Sequence, residues 1–112
     1  MREAHSELMK AIRSGTFVYT GEIEPVKTTS LEESLKTAKI LKGHVIAVNV
    51  TDNPTAFAYM NALIPSYLIQ KEVGLEAVYQ VTVRDRNRLA ITADLLAAAA
   101  VDIRNVLALS GD

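Results

Sequence analysis

The strongest limit on the fold is a repeat of form rather than of letters. Four short apolar, β-branched runs begin near residues 16, 44, 76 and 104, with a helix-spaced segment between each pair. The interval, roughly 28 to 32 residues, is that of one strand–helix unit. Strands joined through helices pair in parallel, so the rhythm βαβαβαβ predicts an α/β fold with a parallel sheet and right-handed crossovers. No G-x-G-x-x-G turn follows any of the runs, which disfavours a doubly wound dinucleotide-binding sheet.

The elements expected within this rhythm carry their own signals. Residues 4–13 place Leu8, Met9 and Ile12 at helical spacing ahead of Gly15. A first strand is expected over 16–23, closed by Pro25. Ser30 and Glu33 form a capping-box pattern before a helical stripe of Leu31, Leu35, Ala38 and Leu41 that Gly43 ends. The second strand, 44–50, is almost wholly apolar, as a strand buried on both faces should be. Asn53 and Pro54 read as N-cap and first position of a helix through Phe57, Met60 and Leu63. Pro65 should kink or break it, and a further helical piece, 66–73, runs to Gly74. A third strand is expected over 76–83 and a helix over 88–100 with Leu89, Leu95 and Leu96 for its buried side. The fourth strand is 105–109.

Composition removes several function classes. Hydrophobic residues make up 49% of the 112, enough for a core, so disorder is not expected. A net charge of −1 gives no case for nucleic acid or an anionic membrane surface. The absence of cysteine removes disulfides, zinc–thiolate sites, iron–sulfur clusters and a cysteine nucleophile. His5 and His44 have no companions at metal-ligand spacing, so no metal site is expected. The charged start carries no apolar run of signal-peptide length, and no stretch approaches the roughly 18 apolar residues of a membrane span. The expectation is one soluble, cytoplasmic domain over residues 1–112.

In parallel α/β folds, ligands bind outside the carboxyl ends of the strands. Those ends carry Glu22, Asn49, Thr82 with Asp85, and Asp112. Strand alternation puts Glu22 on one face with Thr20 and Val18, Asn49 with Ala47 and Val45, and Gln80 with Val78 and Thr82. Four polar tips at one topological position would meet at a shared mouth and leave room for a planar ligand.

The strand-end segments carry a resemblance. Gly21-Glu22-Ile23-Glu24-Pro25, Ala47-Val48-Asn49-Val50-Thr51-Asp52-Asn53, Thr82-x-Arg84-Asp85-Arg86-Asn87 and Asn105-Val106-Leu107-Ala108-Leu109-Ser110-Gly111-Asp112 stand in the order and spacing of the methylenetetrahydrofolate reductase family. The final Leu-Ala-Leu-x-Gly-Asp is the most specific piece, and the Asn-Val-Thr-Asp-Asn form resembles the shorter bacterial and archaeal members. The resemblance implies the first four strands of a (β/α)₈ barrel, FAD at the carboxyl ends, and a folate-type substrate. It also implies a reduced nicotinamide or another electron donor. The cofactor carries the hydride chemistry and the protein positions it.

By position, Glu22 matches the family's general acid, which helps open the folate five-membered ring to an iminium. That step needs a carboxylic acid that keeps its proton near neutral pH, which burial at a barrel mouth provides. Glu24 has the opposite strand parity. Asp112 matches the aspartate between flavin and folate, and Gly111 would allow close approach to the ring. Asn49 falls where many members have a threonine on the flavin, and Gln80 where some have a histidine. Asp85, Arg86 and Asn87 fall in the third loop, which helps hold the cofactor, and an arginine there could pair with pyrophosphate. Another pterin-binding barrel, such as a folate-dependent methyltransferase, is disfavoured by the final motif.

A full barrel of this type takes about 250 residues. The chain is therefore expected to be the amino-terminal half of a longer enzyme. The alternatives are two copies that close a barrel as a homo-oligomer, and a non-catalytic half-barrel that binds a partner.

Overall fold

Four parallel strands in the order β1-β2-β3-β4 make the sheet of the computed structural model, which describes residues 3–111. The strands are β1 (Thr20–Ile23), β2 (Ala47–Val50), β3 (Glu76–Thr82) and β4 (Asn105–Leu109). The helices are α1 (Glu7–Arg13), α2 (Glu32–Leu41), α3 (Leu63–Leu68) and α4 (Arg88–Ala100). A π-helical turn, Ile69–Val73, extends α3, and Gly74 closes it at φ 78°. This is the parallel α/β pattern expected from the rhythm of the sequence, and the half-barrel pattern that the resemblance implies.

The register puts Glu22, Asn49, Val78 and Asn105 side by side across the sheet. With the alternation of strands, this row shares its face with Thr20, Ala47, Glu76, Gln80, Thr82, Leu107 and Leu109. The opposite face packs Ile23, Val48, Val50, Ala77, Tyr79 and Val81 against Ala38, Ile69, Val73 and Ala98 of the helical layer. Tyr79, Ile69, Val48 and Val50 are fully buried there. Each such side chain contributes about 1.5–3 kcal/mol of burial. We call the first face inner and the second outer.

Helix α1 lies on the inner face, at the amino ends of the strands. Leu8 packs on Ala47 and Val78. Ser6 caps the helix by accepting from Met9 N at 3.1 Å. The Glu76 carboxylate accepts from Glu7 N at 2.6 Å, Leu8 N at 3.2 Å and Asn105 Nδ2 at 3.0 Å. A negative group on exposed helix N–H donors is favourable.

Several local expectations give way. β1 and β2 are shorter than the apolar runs that hold them. Residues 16–19 and 44–46 precede the ladder, where Ile46 N donates to Tyr19 O at 2.9 Å and Val45 forms an isolated bridge with Lys42. The capping box does not form. Leu31 is the N-cap of α2, and Ser30 Oγ accepts from Glu32 N at 3.3 Å in a local turn. No helix runs from Pro54 through Leu63. Asn53, Thr55 and Ala56 take left-handed backbone angles (φ 43°, 56° and 64°), and Asn53 Oδ1 accepts from Tyr59 N at 2.9 Å. The segment is a looped connection with one 3₁₀ turn, Pro54–Ala56. Pro65 lies in the first turn of α3, where its missing N–H costs no hydrogen bond.

Helix α4 is rotated from expectation. Its inward stripe is Ala90, Ile91, Asp94, Ala97 and Ala98, while Leu89 and Leu96 are 80% and 68% exposed. The small alanines let the helix approach the sheet closely, and the leucines face away. β4 is exposed on both faces, through Val106 on one and Leu107 on the other.

Candidate active site

The side chains at the carboxyl ends build a site from the inner face upward. Glu22 ends the inward alternation of β1 and is exposed. Next to it, Asn49 Nδ2 donates to Thr20 Oγ1 at 3.2 Å and Gly21 O at 3.4 Å, tying β2 to β1. Gln80 and Thr82 occupy the next inward positions of β3, and Arg84 continues the series beyond the strand end. Thr51, Gln80, Thr82, Arg84 and Gly111 line a cleft of about 350 Å³ with Glu22 at its edge. Adjacent strands lie about 4.8 Å apart, so Glu22 on β1 faces β3 across roughly 10 Å, the width of a flat ring system.

A buried ion pair holds the rim. Asp52, just past β2, has a side chain only 1% exposed. It accepts from Thr82 N at 2.7 Å and takes both Nη atoms of Arg86, at 2.5 and 3.2 Å. Arg86 also donates to Thr82 O at 2.6 Å and, through Nε, to Asp94 of α4 at 2.9 Å. Burial pushes the Asp52 carboxyl up, but hydrogen bonds from Arg86 and Thr82, with the arginine's charge, hold it below its ordinary value. The Arg86 guanidinium is held charged by the same carboxylate. The pair thus clamps the β2 and β3 loops to α4 and fixes the wall that carries Thr51 and Thr82.

Two features mark the wall as shaped for a ligand. Thr51 is buried, and its Oγ1 has no hydrogen-bond partner among the described residues. A buried hydroxyl left unpaired costs about 1–3 kcal/mol, so such a group calls for a partner. Gly111, at φ 94°, lies where a Cβ would meet Thr82 Cγ2 at 2.6 Å and Arg84 Nη1 at 2.9 Å. Only glycine fits that close approach.

Of the residues singled out in the sequence, Glu22, Gln80, Thr82 and Gly111 come together in the cleft. Asn49, Asp85, Arg86 and Asn87 are outside its lining. Arg86 is committed to Asp52 and Asp94. Asn87 caps α4, its Oδ1 accepting from Ala90 N at 2.9 Å. Asp85 is exposed and accepts from Arg84 Nε at 2.8 Å. Asp112 lies outside the described residues. Thr51, Asp52 and Arg84 were not singled out. Extending the parity of β3 by two residues past Thr82 would have found Arg84.

A second cleft, of about 420 Å³, lies at the amino ends between His5, Gln70, Glu76, Asp102 and Arg104. Its carboxylates already have partners within the fold. Glu76 caps α1, and Arg104 pairs with Asp102 at 2.6 Å. The buried unpaired hydroxyl of Thr51 lies in the cleft at the carboxyl ends.

The family model for methylenetetrahydrofolate reductase matches residues 7–112, almost the whole chain. The chain belongs to the methylenetetrahydrofolate reductase family. Its role is therefore that of an oxidoreductase of the methylenetetrahydrofolate reductase type. Among individually curated proteins, none matches it. No helix among the described residues is long and apolar enough to cross a membrane.

Proposed function

We propose that these residues form the amino-terminal half of a (β/α)₈ barrel that reduces 5,10-methylenetetrahydrofolate to 5-methyltetrahydrofolate with bound FAD. The observation that carries this reading is the meeting of Glu22, Gln80, Thr82 and Gly111 in one cleft at the carboxyl ends, in a chain of this family. The residues fit a flat cofactor. The Gln80 amide, beside the unpaired Thr51 hydroxyl, lines the cleft and can hydrogen-bond a ring edge, and Gly111 lets Thr82 and Arg84 pack against its backbone where a Cβ would clash. When bound, the flavin supplies the hydride, which it receives from a reduced nicotinamide or another donor.

The chain's own groups do the rest. Glu22 donates a proton to the amine nitrogen that leaves as the folate five-membered ring opens. Its carboxyl is exposed at the cleft edge, and the substrate ring itself supplies the burial the step needs. Gln80 and Thr82 hydrogen-bond the cofactor edge. Asp112, next to Gly111, accepts from the pterin. Asn49, Asp85, Arg86 and Asn87 hold the strand and loop that carry these contacts. The second half-barrel comes from further chain or from a second copy, and the site is cytoplasmic.

The test is Glu22→Gln. Reduction of the folate should fall by at least two orders of magnitude, while reduction of bound flavin by the electron donor persists. Survival of both half-reactions would refute the assignment of the acid. A second reading, self-association without catalysis, draws on the exposed Val106 and Leu107 of β4 and Leu89 and Leu96 of α4. A colourless dimer that cannot be loaded with FAD would favour it.

A further inference from the structure

We infer that Arg84 receives the negative charge of the reduced flavin ring and thereby sets how strongly the site prefers reduced over oxidised cofactor. This assignment rests on the flavin reading above.

Among the described residues, the cleft lining holds three charged side chains: Glu22, Asp52 and Arg84. Asp52 is neutralised by the bidentate Arg86 behind the wall. Arg84 is therefore the one cation that the lining presents among the described residues. Without it, the described lining would offer an incoming anion no positive charge. A flavin that has taken up a hydride is an anion at neutral pH, and a cation at the cleft wall stabilises it.

The position of Arg84 points to the ring. Its side chain is 21% exposed and follows Glu76, Val78, Gln80 and Thr82 on the inner face. Only its Nε is engaged by Asp85, a partner 74% exposed and therefore a weak one. Its Nη1 packs against Gly111, 2.9 Å from where a Cβ on that residue would stand, beside Thr82 Cγ2. The guanidinium thus borders the same narrow space as Thr82 and Gly111. A planar donor fork at this point suits the carbonyl–nitrogen edge of a ring that gains charge.

The experiment compares wild type, Arg84→Gln and Arg84→Lys in the purified protein. Riboflavin, FMN and FAD binding are read by fluorescence quenching, and the midpoint potential of the bound flavin by redox titration. Unfolding midpoints establish that the variants fold. In Arg84→Gln, affinity for oxidised riboflavin should change less than threefold. The preference for the reduced form should fall about tenfold, which lowers the potential by about 30 mV. Arg84→Lys should restore most of it.

An unchanged potential in Arg84→Gln, with flavin still bound, would overturn the inference and leave the flavin reading standing. A loss confined to FMN and FAD, with riboflavin and the potential unaffected, would also overturn it, because the partner would then be a phosphate. Failure of the wild type to bind any of the three flavins would overturn both the inference and the reading beneath it.

Discussion

Replacing Arg86 by methionine removes one partner of the buried pair and keeps most of the side chain's volume. The carboxylate of Asp52, 1% exposed, would then keep the Thr82 amide but lose a bidentate cation. Breaking a buried pair in this way costs about 3–5 kcal/mol. The surviving Thr82 bond places the expected loss near 3 kcal/mol. With a urea slope of about 1.5 kcal/mol/M, the unfolding midpoint should drop by about 2 M. Adding Asp52→Asn to Arg86→Met should recover part of this, since two neutral groups are buried more cheaply than one lone charge. Asp94→Asn alone should cost only about 1 kcal/mol, because Asp94 is 28% exposed. The same variants predict a pH effect. Asp52 is depressed in the folded state, so its contribution is fully present above its ordinary value of 3.8 and is lost as pH falls below it. In Asp52→Asn the acid limb of the stability curve should flatten. A midpoint shift in Arg86→Met no larger than that of a surface change, about 0.5 kcal/mol, would refute the clamp.

Two other predictions concern hydroxyls without partners. Tyr79 is fully buried, its Oη has no partner among the described residues, and burial pushes its phenol up to about 12. Tyr79→Phe should stabilise the fold by about 1 kcal/mol in thermal unfolding. It should also abolish a loss of stability that the wild type shows as pH rises from 10 towards 12. Thr51→Val should leave the unfolding midpoint unchanged or slightly raised, yet weaken flavin binding about tenfold by equilibrium titration. An equal affinity would mean that the hydroxyl is structural only.

The parallel order and the inward row were legible because both follow from period and parity. Glu22, Gln80 and Thr82 alternate with apolar neighbours, and such a pattern admits only one side of a pleated strand. The helix expected from Pro54 to Leu63 was not, because Asn53-Pro54 satisfies a helix start and a left-handed turn equally well. The deciding bond, Tyr59 N to Asn53 Oδ1, spans residues that local pattern does not relate. The face of α4 was misread for a similar reason. Leucines are stronger hydrophobic signals than alanines, but close packing on the sheet selects Ala97 and Ala98 by size. The Asp52–Arg86 clamp joins residues 34 apart, and a charged loop motif gives no hint that one of its arginines turns inward to a carboxylate.

The latch between Glu76 and the start of α1 has a consequence for how the chain matures. Glu7 and Glu76 are 69 positions apart, and Asn105 bonds the same carboxylate. Helix α1 therefore cannot seat on this carboxylate until β3 has followed it in the chain. Closing so long a loop is slow compared with forming a helix turn. Helix α1 thus acts as a late check on assembly, docking onto strands that residues far beyond it in the chain lay down.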